Sequence, residues 1–109
     1  MANTFKLKTK ANVGVSTVGI YTAPAATTTV VIGITLSITS GSGVNVGVGI
    51  TRAGTTEDVK LLKNAPIPQG SSLEFMGGNK VVLETTDTLT VDSDTNNSVD
   101  AALTIMEIT

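Results

Sequence analysis

The sequence predicts an all-β protein, an antiparallel β-sandwich of jelly-roll type with eight or nine short strands. Three observations carry that expectation. Thr, Val and Ile supply 40 of 109 residues, and β-branched side chains suit a pleated surface while losing rotamer freedom in a helix. Apolar residues recur at every second position in separate runs, so each run places one apolar stripe on one face of a strand. Clusters of Gly, Pro, Asn, Asp and Ser divide those runs at short intervals.

Residues 4–10 alternate, with Phe5, Leu7 and Thr9 on one side and Thr4, Lys6, Lys8 and Lys10 on the other. This predicts a strand with a cationic outer face. Residues 1–10 are then either an edge strand, where lysines discourage stray pairing, or an arm that docks on a neighbour. Ala11–Ser16 reads as a bend. Thr17–Thr22 reads as a short strand with Val18 and Ile20 inward, broken at Pro24, which lacks an N–H and holds Ala23 extended.

The most regular stretch is Thr28–Ile50. Val30, Ile32, Ile34, Leu36 and Ile38 fall at even positions, as do Val44, Val46, Val48 and Ile50. Thr39-Ser40-Gly41-Ser42-Gly43 between them predicts a β-hairpin with a buried face. Gly47 and Gly49 lie on the other side of the second run, where a stripe without side chains admits close backbone approach or a bend.

Arg52–Thr56 predicts a turn, and Asp58–Asn64 a strand that buries both faces irregularly through Val59, Leu61 and Leu62. Pro66–Gly70 predicts a connector, because proline does not serve a central strand. Leu73–Met76 and Val81–Glu84 read as strands about a reversal at Gly77-Gly78-Asn79. Thr85–Asp87 turns into a strand at Leu89–Val91. Asp92–Asn97 is a polar loop. Val99–Ile108 is a last strand with Ala101, Leu103 and Ile105 on one side.

A length of 109 residues fits one domain spanning 1–109, large enough for a single core without staples. Cysteine, histidine and tryptophan are all absent, so the sequence carries no disulfide and no redox signal. The net charge of −2 is unevenly laid out, +4 over residues 1–56 and −6 over 57–109. Such a chain attracts another copy of itself or an acidic surface, unless the folded sheets mix the two halves. No apolar run follows the first charges, so no secretory signal is expected. No stretch approaches the roughly 18 apolar residues of a membrane helix, and a soluble protein is expected.

Catalytic chemistry finds little purchase. General acid–base work at neutral pH usually recruits histidine, and a serine nucleophile here has only lysine or a terminal amine to activate it. Paired carboxylates for glycoside cleavage are conceivable, but three aromatic residues make a poor sugar platform. Gly41–Gly49 lacks the Gly-Lys-Ser/Thr ending of a phosphate loop. Asp92-Ser93-Asp94-Thr95-Asn96-Asn97 offers alternate oxygen ligands, yet Asn97 stands where an EF-hand needs glycine and Leu103 where it needs glutamate. An acidic balance without stacking aromatics argues against nucleic acid. We therefore expect no enzyme, no cofactor and no metal.

Several landmarks occur together: Ile20-Tyr21-Thr22-Ala23-Pro24-Ala25, Thr27–Ile34, Asn64-Ala65-Pro66-Ile67-Pro68-Gln69-Gly70, Lys80–Glu84, Asp87–Val91 and Ala102–Ile108. Over most of residues 17–108 the chain resembles a group of small virion structural proteins of tailed phages, especially phages of marine bacteria and cyanobacteria. Members often carry glycine before the aspartate where this chain has Thr86. The resemblance implies a non-enzymatic virion protein. Its expected role is a capsid decoration, or cement, protein that stabilises the shell as a homo-oligomer, for instance a trimer. Its partners are then itself and the major capsid protein or another virion protein. It would be soluble in the host cytoplasm before assembly. A neck, tail or fibre-attachment protein and a carbohydrate- or receptor-binding sandwich are the alternatives. No functional residue carries over from the resemblance. The alternating N-terminal segment makes Phe5, Lys6, Leu7 and Lys8 the expected docking residues. Plain structural roles are expected for Tyr21, covering one end of the sandwich, and for Asp87, bonding a backbone N–H of its turn.

Overall fold

The computed structural model describes residues 3–41, 43–52, 57–68, 72–75 and 81–109. Every regular element among them is a strand: β1 (Asn3–Val13), β2 (Val18–Thr22), β3 (Thr28–Ile38), β4 (Val44–Arg52), β5 (Glu57–Ile67), β6 (Ser72–Phe75), β7 (Val81–Leu83), β8 (Thr88–Ser93) and β9 (Val99–Ile108). They form two antiparallel sheets. One has the order β1-β9-β3-β6, with β7 also paired to β3; the other has the order β2-β8-β4-β5. The chain pairs as one long folded hairpin. β4 meets β5 near its tip, then β3 meets β6 and β7, β2 meets β8, and β1 meets β9.

The expected hairpin between the two even-numbered runs does not form. β3 and β4 belong to different sheets. Thr39 N–H donates to Ser98 O at 2.8 Å, which carries the β3–β9 pairing one step further. The chain then crosses to the second sheet, where Asn45 N–H donates to Asp94 Oδ1 at 3.1 Å. The two apolar stripes meet across the core instead of side by side.

The parity of β3 also changes along its length. Its register with β9 shifts between Val31 and Gly33, and a bulge of one residue turns every later side chain to the other face. Thr29 and Val31 point inward before the shift, Ile34, Leu36 and Ile38 after it. A second bulge lies between Gly19 and Tyr21. It makes Tyr21, not Ile20, the buried partner of Leu89, and leaves Ile20 packed only partly against the core. β9 keeps the expected parity, with Ala101, Leu103 and Ile105 at 3% exposure or less.

β5 runs further than expected, through Pro66 to Ile67. It is an edge strand, where a missing N–H costs no ladder bond. Its register slips on both sides of Val48, which tucks Leu61 and Leu62 together against the core. Residues 53–56 and 76–80 lie outside the described residues. β6 and β7 nevertheless both pair antiparallel with β3, with partner sums that differ by three positions. They run in the same direction along one edge. The reversal expected at Gly77–Asn79 lies outside the described residues.

The core is the layer between the sheets, with Leu36, Leu83, Leu103, Ile105, Val13, Val31 and Val99 all 0% exposed. Gly47 and Gly49 do mark a close approach. A Cβ on Gly49 would stand 2.9 Å from Val59 O, and one on Gly47 2.5 Å from Asp92 Oδ1. The glycine stripe leaves room for Lys60 of β5 to reach across β4 towards Asp92 of β8, at 3.8 Å.

Candidate interaction face

Residues directly opposite in an antiparallel pair share a face. β9 buries its odd positions, so its even positions point out. Phe5 stands opposite Met106, Met106 opposite Val30, and Val30 opposite Val82. One row therefore crosses the whole first sheet on its outer surface and consists of four apolar side chains. Leu7, Ile108 and Ile32 adjoin it. Phe5 is 69% exposed, Leu7 65% and Val82 54%. Large apolar groups exposed in such continuity make this the candidate contact face.

Charge sets this face apart. Among the described residues, the outward positions of β1, β9, β3 and β7 hold one ionisable group, Asp100. It sits at one end and accepts the backbone N–H of Asn12 at 3.0 Å. The outer surface of the second sheet carries Asp58, Lys60 and Asp92 instead.

The N-terminal segment is an edge strand and not a free arm, paired with β9 from Asn3 to Val13. Its faces are the reverse of those expected. Lys6, Lys8 and Lys10 stand opposite Ile105, Leu103 and Ala101, on the inner side, whereas Phe5 and Leu7 point out. The second sheet's edge strand β2 is only five residues long. β1 can therefore turn lysines towards the open margin of the sandwich without stranding their ammonium groups, since long stems lie on apolar surface while the heads stay wet. Of the four expected docking residues, Phe5 and Leu7 lie on the outer face, and Lys6 and Lys8 do not.

Lys6 instead closes a bridge that the sequence did not announce. Its Nζ lies 2.8 Å from Glu107 Oε1. The Tyr21 hydroxyl donates to Glu107 Oε2 at 2.5 Å and shares a bond with Thr29 Oγ1 at 2.8 Å. Tyr21 comes from the second sheet and the other three residues from the first, so the bridge ties the sheets at the end that Tyr21 covers. Glu107 is 6% exposed and affordable there because both its oxygens are satisfied. The Lys6 ammonium and then the Tyr21 bond hold its carboxyl below the usual range. Burial and then the Glu107 bond push the Tyr21 phenol up to about 12.

These shifts fix a pH dependence. A carboxyl lowered on folding stabilises the fold above its unfolded pKa, and that contribution is lost as pH falls through the folded value. A phenol raised on folding stabilises below its unfolded pKa, and loses its contribution as pH rises towards about 12. Stability should be greatest between the two and decline on either side. Replacing Tyr21 by phenylalanine should flatten the alkaline limb in urea titrations run at a series of pH values.

The other polar cluster is a turn clamp. Asp87 Oδ2 accepts Glu84 N–H at 2.9 Å, as expected of this aspartate, and Oδ1 accepts Arg52 Nε at 3.2 Å. Arg52 also pairs with Glu84. Within the turn Thr86 adopts φ 71°, a region that a β-branched residue rarely enters. Thr86→Gly should raise the unfolding free energy by about 1 kcal/mol in urea titration. The loop expected at Asp92–Asn97 begins only after Ser93, where β8 ends; in it Asp94 accepts from Asn45 N–H, while Asp92, still in β8, accepts from Thr17 Oγ1 at 3.0 Å.

No family model matches the sequence, and no curated protein does. A solved structure does share the fold. It is a protein of the Bacillus endospore appendages, described as a novel family of disulfide-linked pili. The alignment covers 99% of this chain and 87% of that one, at 15% identity and a TM-score of 0.57. At that identity the likeness is one of fold. The present chain has no cysteine, and so lacks the residue that a disulfide link requires. Among the described residues, no helix is long and apolar enough to cross a membrane.

Proposed function

We propose that this chain is a non-enzymatic structural subunit of a tailed-phage particle, a capsid decoration protein that braces the shell as a homo-oligomer. The observation that carries the reading is the outer face of the first sheet, where one row is apolar from Phe5 to Val82 and the described outward positions of β1, β9, β3 and β7 hold one charge. A subunit that works by being gripped needs such a face; an enzyme does not. The sequence resemblance supports the virion setting, and the fold shared with a pilus protein suits a building block. The proposal includes a jelly-roll topology. Its support is the pairing of the chain as one folded hairpin whose successive strand pairs alternate between the sheets, the arrangement that jelly rolls use.

Quantitative mass spectrometry of purified particles tests the placement. Hundreds of copies per particle are expected for a shell protein. A dozen or fewer would move it to the neck, tail or a fibre attachment, and absence from particles would overturn the virion reading.

A further inference from the structure

We infer that the occupant of the apolar face is a second copy of this chain, docked face to face. The inference rests on the reading of that face as an assembly surface, and goes further by naming its partner.

Size is the first argument. β1, β3 and β9 are 11, 11 and 10 residues long. At about 3.3 Å per residue and about 4.8 Å between strands, these three strands and the short β6 and β7 beside them present roughly 600 Å², against the roughly 800 Å² that each partner gives to a stable interface.

Charge is the second argument. A face meeting its own copy meets its own sign, so a charged face would repel itself. On β1, β9, β3 and β7 the one outward charge among the described residues, Asp100, lies at an end and is engaged by Asn12 N–H. On those strands a partner recognised through charge would find only that group. Their chemistry complements another neutral, apolar surface, and the chain's own copy offers one.

Shape is the third. Twisted sheets pack about 10 Å apart with their strands nearly aligned. A twofold axis along the strands, between Met106 and Val30, would set the Phe5 end of one row over the Val82 end of the other. Each protruding phenyl ring would then meet a smaller side chain, in the self-complementary manner of a twofold interface.

Sedimentation equilibrium of the whole chain tests this. The wild type should dimerise. Phe5→Lys/Leu7→Lys should weaken dimerisation at least a hundredfold while keeping the β-type circular dichroism, because both side chains are already solvent-exposed. Asn45→Lys, exposed on the other sheet, should leave the dimer intact. As a second measurement, Thr104→Cys lies exposed on the face in a chain with no other cysteine. A short bismaleimide should link it into dimers and should not link Asn45→Cys. A wild type that stays monomeric at about 1 mM, or a dimer broken by Asn45→Lys and not by the face variant, overturns the inference. A monomer that still enters particles would leave the virion reading standing, whereas a face-to-face dimer absent from particles would do the reverse.

Discussion

Leu103→Ala should lower the unfolding free energy by about 3 kcal/mol. Leu103 is 0% exposed and sits mid-strand in β9, between Lys8 of β1 and Ile34 of β3. Pairing on both sides limits how far the backbone can collapse into the space left behind. The removed atoms lose their burial and the cavity persists, so both costs apply. In a domain of this size each kcal/mol moves the melting temperature by about 4–8 °C, and a total stability of roughly 5–15 kcal/mol leaves little reserve. Thermal and urea unfolding of the variant read the effect directly. The same truncation at Leu7, which is 65% exposed, should cost less than about 0.5 kcal/mol in the isolated chain.

Gly49→Ala should cost about 2–3 kcal/mol, an unusual penalty for one methyl group. The added carbon would stand 2.9 Å from Val59 O and 3.3 Å from Thr90 Oγ1. A backbone carbonyl cannot swing aside as a side chain can, so β5 must move away from β4. That movement disturbs the register slips around Val48 that seat Leu61 and Leu62. Gly33→Ala is the control, because an added Cβ there meets nothing within 4 Å. Its stability should stay within about 0.5 kcal/mol of wild type. Equal losses at the two glycines would remove the argument from close approach.

These two sites also mark what the sequence could convey. Alternation located the strands and the buried side of β9, because burial on one face leaves a period of two in any strand. The gap at Gly47 and Gly49 was visible as a row without side chains. Alternation does not say which strand lies beside which. Two apolar runs joined by Ser and Gly read alike whether the runs pair laterally or face each other across a core, and so the pattern predicts a β3–β4 hairpin that does not exist. Bulges are equally silent. One extra residue at Ile32–Gly33 or at Ile20 reverses inside and outside without any demand on residue type. β5 could extend through Pro66 because it lies at an edge, a fact of topology and not of local sequence.

The candidate face was legible in its members and hidden in its orientation. Phe5 and Leu7 stood out as one side of an alternating strand. Ordinary patterning sends the lysine side to solvent and the apolar side to the core. The short β2 leaves the inner side of β1 at an open margin, and Glu107 waits there for Lys6. Tyr21 is expected only as a cover for one end of the sandwich, and nothing in the sequence links it to Glu107, 86 positions away in the chain and joined to it only by the stacking of the sheets. Met106, Val30 and Val82 became one row with Phe5 only through the register of three strand pairs.

Hydroxyl-radical footprinting of the free chain and of its working assembly tests the central claim most directly, because Phe5, Leu7 and Met106 are all reactive reporters. The account predicts strong protection of these three side chains on assembly, with Tyr21 unreactive in both states. Full reactivity of Phe5, Leu7 and Met106 in the assembled form, with protection confined to the outer surface of the second sheet, would contradict it.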